Sequence, residues 1–156
     1  MIDEQIAGFI EGAVMTILAS RDARMRAAIG RAVGTRRAGP SLFETLVSRV
    51  QWPELTGNLV PGAPLALTFA GLEDYRCYQV KSVVLEVGAA DEDDRRRAAS
   101  YVAEMTRRLA GVGVAARPAG AWLCEIDLQR VRYRPLAVYD QTPGIHAGRR
   151  LGEPVP

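Results

Sequence analysis

Apolar and polar positions change period several times along the chain, and each change marks an element. Ile6, Phe9 and Ile10 share a face at helical spacing, Asp3 stands where an N-cap belongs, Glu4 follows near the positive end of the dipole, and Gly12 stops the run. The apolar, partly β-branched stretch AVMTILAS then meets a polar turn at Arg21-Asp22-Ala23-Arg24 and a second run from Met25 to Thr35, which predicts a hairpin. In the second run Met25, Ala27, Ile29, Arg31 and Val33 share one parity, and Arg26, Ala28, Gly30, Ala32 and Gly34 the other. The second set is small enough for a backbone or a flat ligand to approach. Arg31 interrupts the apolar set, either as an arginine at an exposed strand end or as an anion partner at a cleft.

A turn at 37–40 leads to a third strand around SLFETLV, and Ser48 and Arg49 separate that strand from a short helix with Pro53 in its first turn. LALTFAG, 65–71, reads as a fourth strand and 75–87 as a fifth. In the fifth, Tyr75, Cys77, Gln79, Lys81, Val83, Leu85 and Val87 pass from polar to apolar, which sets Gln79 and Lys81 either at the mouth of a cleft or in solvent. The clearest helix follows. Asp91 caps it, Glu92, Asp93 and Asp94 fill its first turn, Ala98, Tyr101, Val102, Met105 and Leu109 form its stripe, and Gly111 stops it. The Gly/Ala/Pro-rich stretch 111–120 reads as a connector. WLCEIDLQ and RVRYRPLAVYD then form a last long strand in which Pro135 marks an edge, bulge or bend. Six or so strands, two or three helices and hairpin-like connections predict a mainly β fold, a six-stranded antiparallel barrel with peripheral helices.

Composition narrows the function. A chain of 156 residues, 48% hydrophobic, fits one domain over 1–156. Its longest apolar runs fall well short of the ~18–20 residues of a membrane span, and no basic-then-apolar segment opens the chain, so a soluble, cytoplasmic protein without membrane contact is expected. The net charge of +2 lacks the footprint of a nucleic-acid binder. Cys77, Cys124 and the one histidine, His146, are too few for a structural metal site, so buried free thiols and no metal are expected. No GxSxG, Walker loop, GxGxxG or HExxH is present, and no catalytic residue can be named. Lys81 is the only lysine among the 20 basic residues. It joins Arg31, Thr45, Ser48 and Arg49 as cationic and hydroxyl groups bordering strands, a set that suits a phosphate, while small strand faces suit a flat ring.

With these residues in place, the chain resembles the pyridoxamine 5′-phosphate oxidase-like, FMN-binding split-barrel proteins. The likeness runs through AVMTILASRDARMRAAIGRAVG, SLFETLVSR, the short helix before TGNL, PLALTF, YQVKSVVLEV and VYDQTPGIHAGRRL. It implies a six-stranded split barrel that forms a homodimer with two FMN sites at the interface. By position Arg31 and Ser48-Arg49 correspond to the phosphate contacts, the Ala32-Val33 backbone to the isoalloxazine support, and Lys81 to a ring or phosphate contact. Thr45 matches a hydroxyl contact with an offset of about one residue. Val50 stands where the family's turn supplies a lysine, and Ser82 follows Lys81 where a glycine is common. The implied function is an FMN-dependent oxidoreductase acting on a small molecule. The alternative is a non-catalytic barrel that binds flavin, haem or another cofactor. The C-terminal segment, 140–156, with His146, Arg149 and Arg150, is expected to lie ordered against the barrel over 140–151 and to cover the ligand cleft.

Overall fold

The computed structural model describes residues 2–152. In chain order the elements are α1 (Glu4–Glu11), β1 (Met15–Arg21), β2 (Ala27–Gly39), β3 (Leu42–Ser48), α2 (Pro53–Gly57), β4 (Pro64–Ala70), β5 (Cys77–Ala89), α3 (Glu92–Gly111), α4 (Ala116–Trp122), β6 (Leu128–Asp140) and β7 (Arg149–Leu151). The sheet order is β3-β2-β1-β4-β5-β6-β7, antiparallel throughout, and β3 also pairs with β6. That last pairing closes six strands into the expected barrel, which leaves those six without a free edge along the closed part.

Strand β6 does two jobs. Its first half, Leu128 to Tyr133, pairs with β3, and its last residues, Val138 to Asp140, pair with β7. Between them lies the irregularity expected at Pro135: Lys81 pairs with Ala137 and Ser82 with Pro135, so Leu136 is the extra residue of a bulge. The inward parity fills the barrel with Leu18, Ala32, Phe43, Val47, Leu67, Phe69, Val80, Val84 and Tyr133, and α1 adds Ile6, Ala7 and Ile10 to that core. Helix α1 begins as its sequence dictates, with Asp3 accepting the Ile6 N–H at 2.8 Å.

A second core lies outside the barrel, where Val33 and Leu46 of β2 and β3 meet Ala98, Tyr101, Met105 and Leu109 of α3 and Ala119 of α4. The cap of α3 is the reciprocal one expected from its acids: the Asp94 N–H donates to Asp91 at 2.8 Å and the Asp91 N–H donates to Asp94 at 3.2 Å.

Four readings of the sequence change. Part of the expected connector and the start of WLCEIDLQ form α4, because burying Ala119 and Leu123 against the second core outweighs the poor helix propensity of its Gly and Pro. The small face of β2 is filled by the chain itself: a Cβ at Gly30 would stand 2.7 Å from Trp52 Cγ and Leu55 Cδ2, so α2 occupies the space proposed for a flat ligand. In β5 the core parity is Val80, Ser82 and Val84, and Gln79, Lys81 and Val83 lie on the outward parity. Cys77 and Cys124 are free thiols that are half-buried rather than fully buried.

The end of the chain lies along the sheet. Gln141 donates its N–H to the Cys77 carbonyl at 2.7 Å, Cys77 donates its N–H to Thr142 Oγ1 at 3.1 Å, and β7 pairs with β6. The remainder of the segment, 153–156, falls outside the described residues. No described helix is long and apolar enough to cross a membrane, and the described residues hold no group of three or more His, Cys, Asp or Glu side chains placed for a metal.

Candidate functional site

Most arginines are consumed by structure, and subtracting them isolates the site. Glu44, only 2% exposed, accepts from Arg36 at 3.0 Å and from Arg132 at 2.6 Å, with Arg130 at 3.9 Å. Burial pushes the Glu44 carboxyl up, and the hydrogen bonds from Arg132 and Arg36 overcome that to hold it below the usual carboxylate range. Asp94, fully buried, accepts from Arg97 at 2.7 Å and Arg130 at 3.0 Å. This network ties β2, β3 and β6 to the start of α3.

Another part of the barrel's outer surface carries different chemistry. Outward positions align across the strands through the register: Arg31 pairs with Ile17, Ile17 with Thr68, Thr68 with Gln79, Gln79 with Tyr139 and Tyr139 with Arg150. The next outward row is Ile29, Ala19, Ala66, Lys81 and Ala137. Neither row contains an acid. Arg21, Arg31, Lys81, Arg134 and Arg150 form no ion pair among the described residues, whereas eleven other arginines do. The small side chains of Ala19 and Ala66 leave a shallow depression of about 320 Å³, flanked by Arg21, Lys81 and Leu136. Ile29 beside it is 64% exposed.

The seven residues singled out from the sequence fall into three groups. Arg31 and Lys81 lie in these two outward rows, and the Arg31 guanidinium carbon lies 4.9 Å from the centre of the Trp122 ring. Ser48 and Arg49 sit together at the end of β3 but already have partners. Ser48 Oγ donates to the Ile126 carbonyl at 2.7 Å and accepts from the Gln51 N–H at 3.1 Å. Arg49 Nε donates to Asp127 at 3.1 Å, and that hydrogen bond raises the guanidinium pKa. Thr45, Ala32 and Val33 are buried. Thr45 Oγ1 bonds Thr35 Oγ1 at 2.9 Å, Ala32 faces the barrel core, and Val33 packs under α3. At Val33 and Gly34 two residues of β2 oppose one of β3, a bulge in which Gly34 takes φ +102°.

The sequence reading missed Trp122, Arg21, Arg134 and the Ala19–Ala66 pair. The alternation Ile17, Ala19, Arg21 was legible as an outward face ending in a cation. Trp122 was not, because its contact with Arg31 joins elements about ninety positions apart.

A phosphorylated flavin calls for cationic donors without ion-pair or hydrogen-bond partners in the chain. Arg31, Lys81 and Arg21 have none among the described residues, so an anionic end fits, and the alanine-floored depression fits an apolar flat part. Ser48 and Arg49 fit only if they exchange or share their present partners.

No family model and no curated protein matches the chain. Solved structures do. The chain is similar to HupZ of Group A Streptococcus, with 14% identity, TM-score 0.56, and coverage of 95% of this chain and 100% of that one. It is similar to a candidate pyridoxamine 5′-phosphate oxidase from Lactobacillus delbrueckii, with 17% identity, TM-score 0.54, and coverage of 88% and 93%. It is similar also to an FMN-binding protein from Syntrophomonas wolfei, with 9% identity, TM-score 0.54, and coverage of 88% and 87%. At these identities the likeness concerns fold: the chain adopts the pyridoxamine 5′-phosphate oxidase-like split barrel.

Proposed function

We propose that this split barrel binds FMN on the outward face of β1, β2, β4 and β5, with a second copy of the chain completing the site. The observation that carries the reading is the segregation of charge. A chain that pairs most of its arginines leaves Arg21, Arg31 and Lys81 without an ion pair among the described residues, beside a shallow apolar depression, and such a face suits a ligand that is both flat and anionic. The name of the structural neighbour from Syntrophomonas wolfei, an FMN-binding protein, supports the choice of a flavin over other ligands of that description.

In this reading Arg31, steadied by Trp122, holds the phosphate. The floor of Ala19 and Ala66 receives apolar ring surface, and Lys81 sits at its edge as a hydrogen-bond donor. Arg49 is a reserve cation shared with Asp127. Bound FMN supplies the redox chemistry of an oxidoreductase, and the chain's part is to bind, orient and shield it. The two outward rows contain no Asp, Glu or His, so they offer no carboxylate or imidazole as a general acid or base.

The test is a titration of the purified protein with FMN, following flavin fluorescence and melting temperature together. Saturable quenching is expected. At about 100-fold excess over Kd the folded state should gain about 2.7 kcal/mol, seen as a rise of roughly 5–10 °C. Free-flavin fluorescence throughout and an unmoved melting curve would refute the proposal.

A further inference from the structure

The start of β2 has a free edge, and its register shows which groups that edge offers. The Asp22 N–H donates to the Arg26 carbonyl at 3.0 Å, so 22–26 is a hydrogen-bonded pair. Bonded and unbonded pairs alternate along an antiparallel ladder, which makes Ser20–Ala28 and Leu18–Gly30 the next bonded pairs. Ala27 and Ile29 therefore turn their N–H and C=O groups away from β1. Strand β3 reaches β2 only from Ala32 onward, so among the described residues no strand meets those groups. Beside the edge, between the hairpin and α2, lies a cleft of about 570 Å³ whose lining includes Asp22, Arg26, Ala27, Ala28, Glu54 and Asn58. Consecutive residues of opposite parity line it, so it opens along the strand's edge rather than on one face.

The hairpin tip breaks a local rule. Met25 takes φ +65°, in the place where a hairpin loop of this kind ordinarily has glycine, and its side chain is 68% exposed. Asp22 pins the loop by accepting the Arg24 and Arg26 N–H groups at 2.9 Å each. A long apolar side chain is thus held outward at a backbone cost and with little packing in return. Ile29, of the same parity and also exposed, extends the apolar strip along the edge. The opposite parity faces the cleft, where the uncommitted groups are acceptors. Glu54 is exposed and forms no ion pair among the described residues, and Asn58 Nδ2 donates to Ser20 Oγ at 3.2 Å, leaving its side-chain oxygen to accept. Arg26 already donates to Asp22 at 2.6 Å.

We propose that the edge of β2 receives an extended peptide of another protein as an added strand. Peptide residues opposite Ala27 and Ile29 take the free N–H and C=O groups and lie on the outward side against Met25 and Ile29, so they are apolar. The residue between them, opposite Ala28, faces the cleft and is a lysine or arginine paired with Glu54. Backbone pairing supplies the affinity, and the apolar–basic–apolar alternation supplies the specificity. The edge faces away from β1, and the inference stands apart from FMN binding.

The experiment is fluorescence anisotropy of a labelled Thr-Val-Lys-Val-Thr peptide titrated with the full chain. Saturable binding is expected, weaker by about fivefold when the lysine is replaced by glutamate or the valine nitrogens are methylated. Ala27→Pro removes an N–H that faces away from β1, where an edge strand accepts proline, and should weaken binding by about fivefold. Glu54→Lys leaves the strand untouched and should reverse the preference toward the glutamate peptide. Met25→Gly relieves the loop, so its melting temperature should rise by roughly 2–4 °C while peptide affinity falls. No saturable binding, equal affinity for the two peptides, or affinity unchanged in both Ala27→Pro and Glu54→Lys overturns the proposal. So does a dimer in sedimentation velocity that Ala27→Pro dissociates, since a second copy would then hold the edge.

Discussion

The guanidinium carbon of Arg31 lies 4.9 Å from the centre of the Trp122 ring, fastening the outward face of β2 to helix α4. A cation held over a ring keeps its charge and N–H donors while losing freedom, which is what an anion site needs. Arg31→Ala should weaken FMN binding more than tenfold, since a charge-assisted hydrogen bond contributes about 1.5–3 kcal/mol. Its melting temperature should fall by no more than ~2–4 °C, the equivalent of about 1 kcal/mol. Trp122→Leu keeps an apolar cap on α4 and should cost less than tenfold. Fluorescence titration of both variants checks the order.

Asp127 holds Arg49 in an exposed ion pair, and in the proposed FMN site it would compete with the phosphate for that cation. Asp127→Asn removes the competing charge, and asparagine tolerates the φ of 51° at that position. An exposed ion pair contributes roughly 0.2–1 kcal/mol, so FMN affinity should rise by up to about fivefold. Unchanged affinity in the same titration would remove Arg49 from the site.

Stability depends on another set of charges. Glu44 is 2% exposed and serves Arg36 and Arg132 together, so Glu44→Ala strands cations whose partner was buried. The arginines left behind are more than a third exposed and can be rehydrated, so the expected loss is about 1–3 kcal/mol in chemical denaturation, still more than at an exposed pair. Glu44→Gln, which keeps hydrogen-bonding oxygen in place, should lose less.

The same residue sets an acid limit. Its folded-state pKa is below the unfolded value, because the arginine hydrogen bonds outweigh the upward push of burial. Its contribution is therefore fully present above the unfolded carboxylate value near 4.5 and is lost as pH falls through the folded value. Melting temperature should stay level from about pH 6 to 8 and decline below about 4.5, with a shallower decline in Glu44→Gln. A decline beginning near neutrality would contradict this assignment.

Gly30 reports on the barrel interior. A methyl group there meets Trp52 Cγ and Leu55 Cδ2 at 2.7 Å, so Gly30→Ala should destabilise by about 1–3 kcal/mol through overpacking. Denaturant unfolding monitored by tryptophan emission measures it.

Much of this architecture was legible along the chain, for local reasons. The Asp3 and Asp91 caps, Pro53 at the start of α2 and Pro135 at the bulge act within a few residues, and alternation exposed the strands. The arginines were not legible, since their partners are distant. Glu44 and Arg132 are 88 positions apart, and nothing nearby distinguishes Arg132, which is structural, from Arg31, which has no acid partner among the described residues. Helix α4 was hidden because packing, rather than propensity, makes it helical. The small face of β2 was visible, but its occupant could be recognised only once α2 had been placed against it.

Native mass spectrometry of the purified chain with FMN tests the central claim most directly. The account predicts a species of two 16.9 kDa chains carrying two FMN molecules, lost in Arg31→Ala at the same ligand concentration. A lone 16.9 kDa chain without ligand at saturating FMN would contradict it.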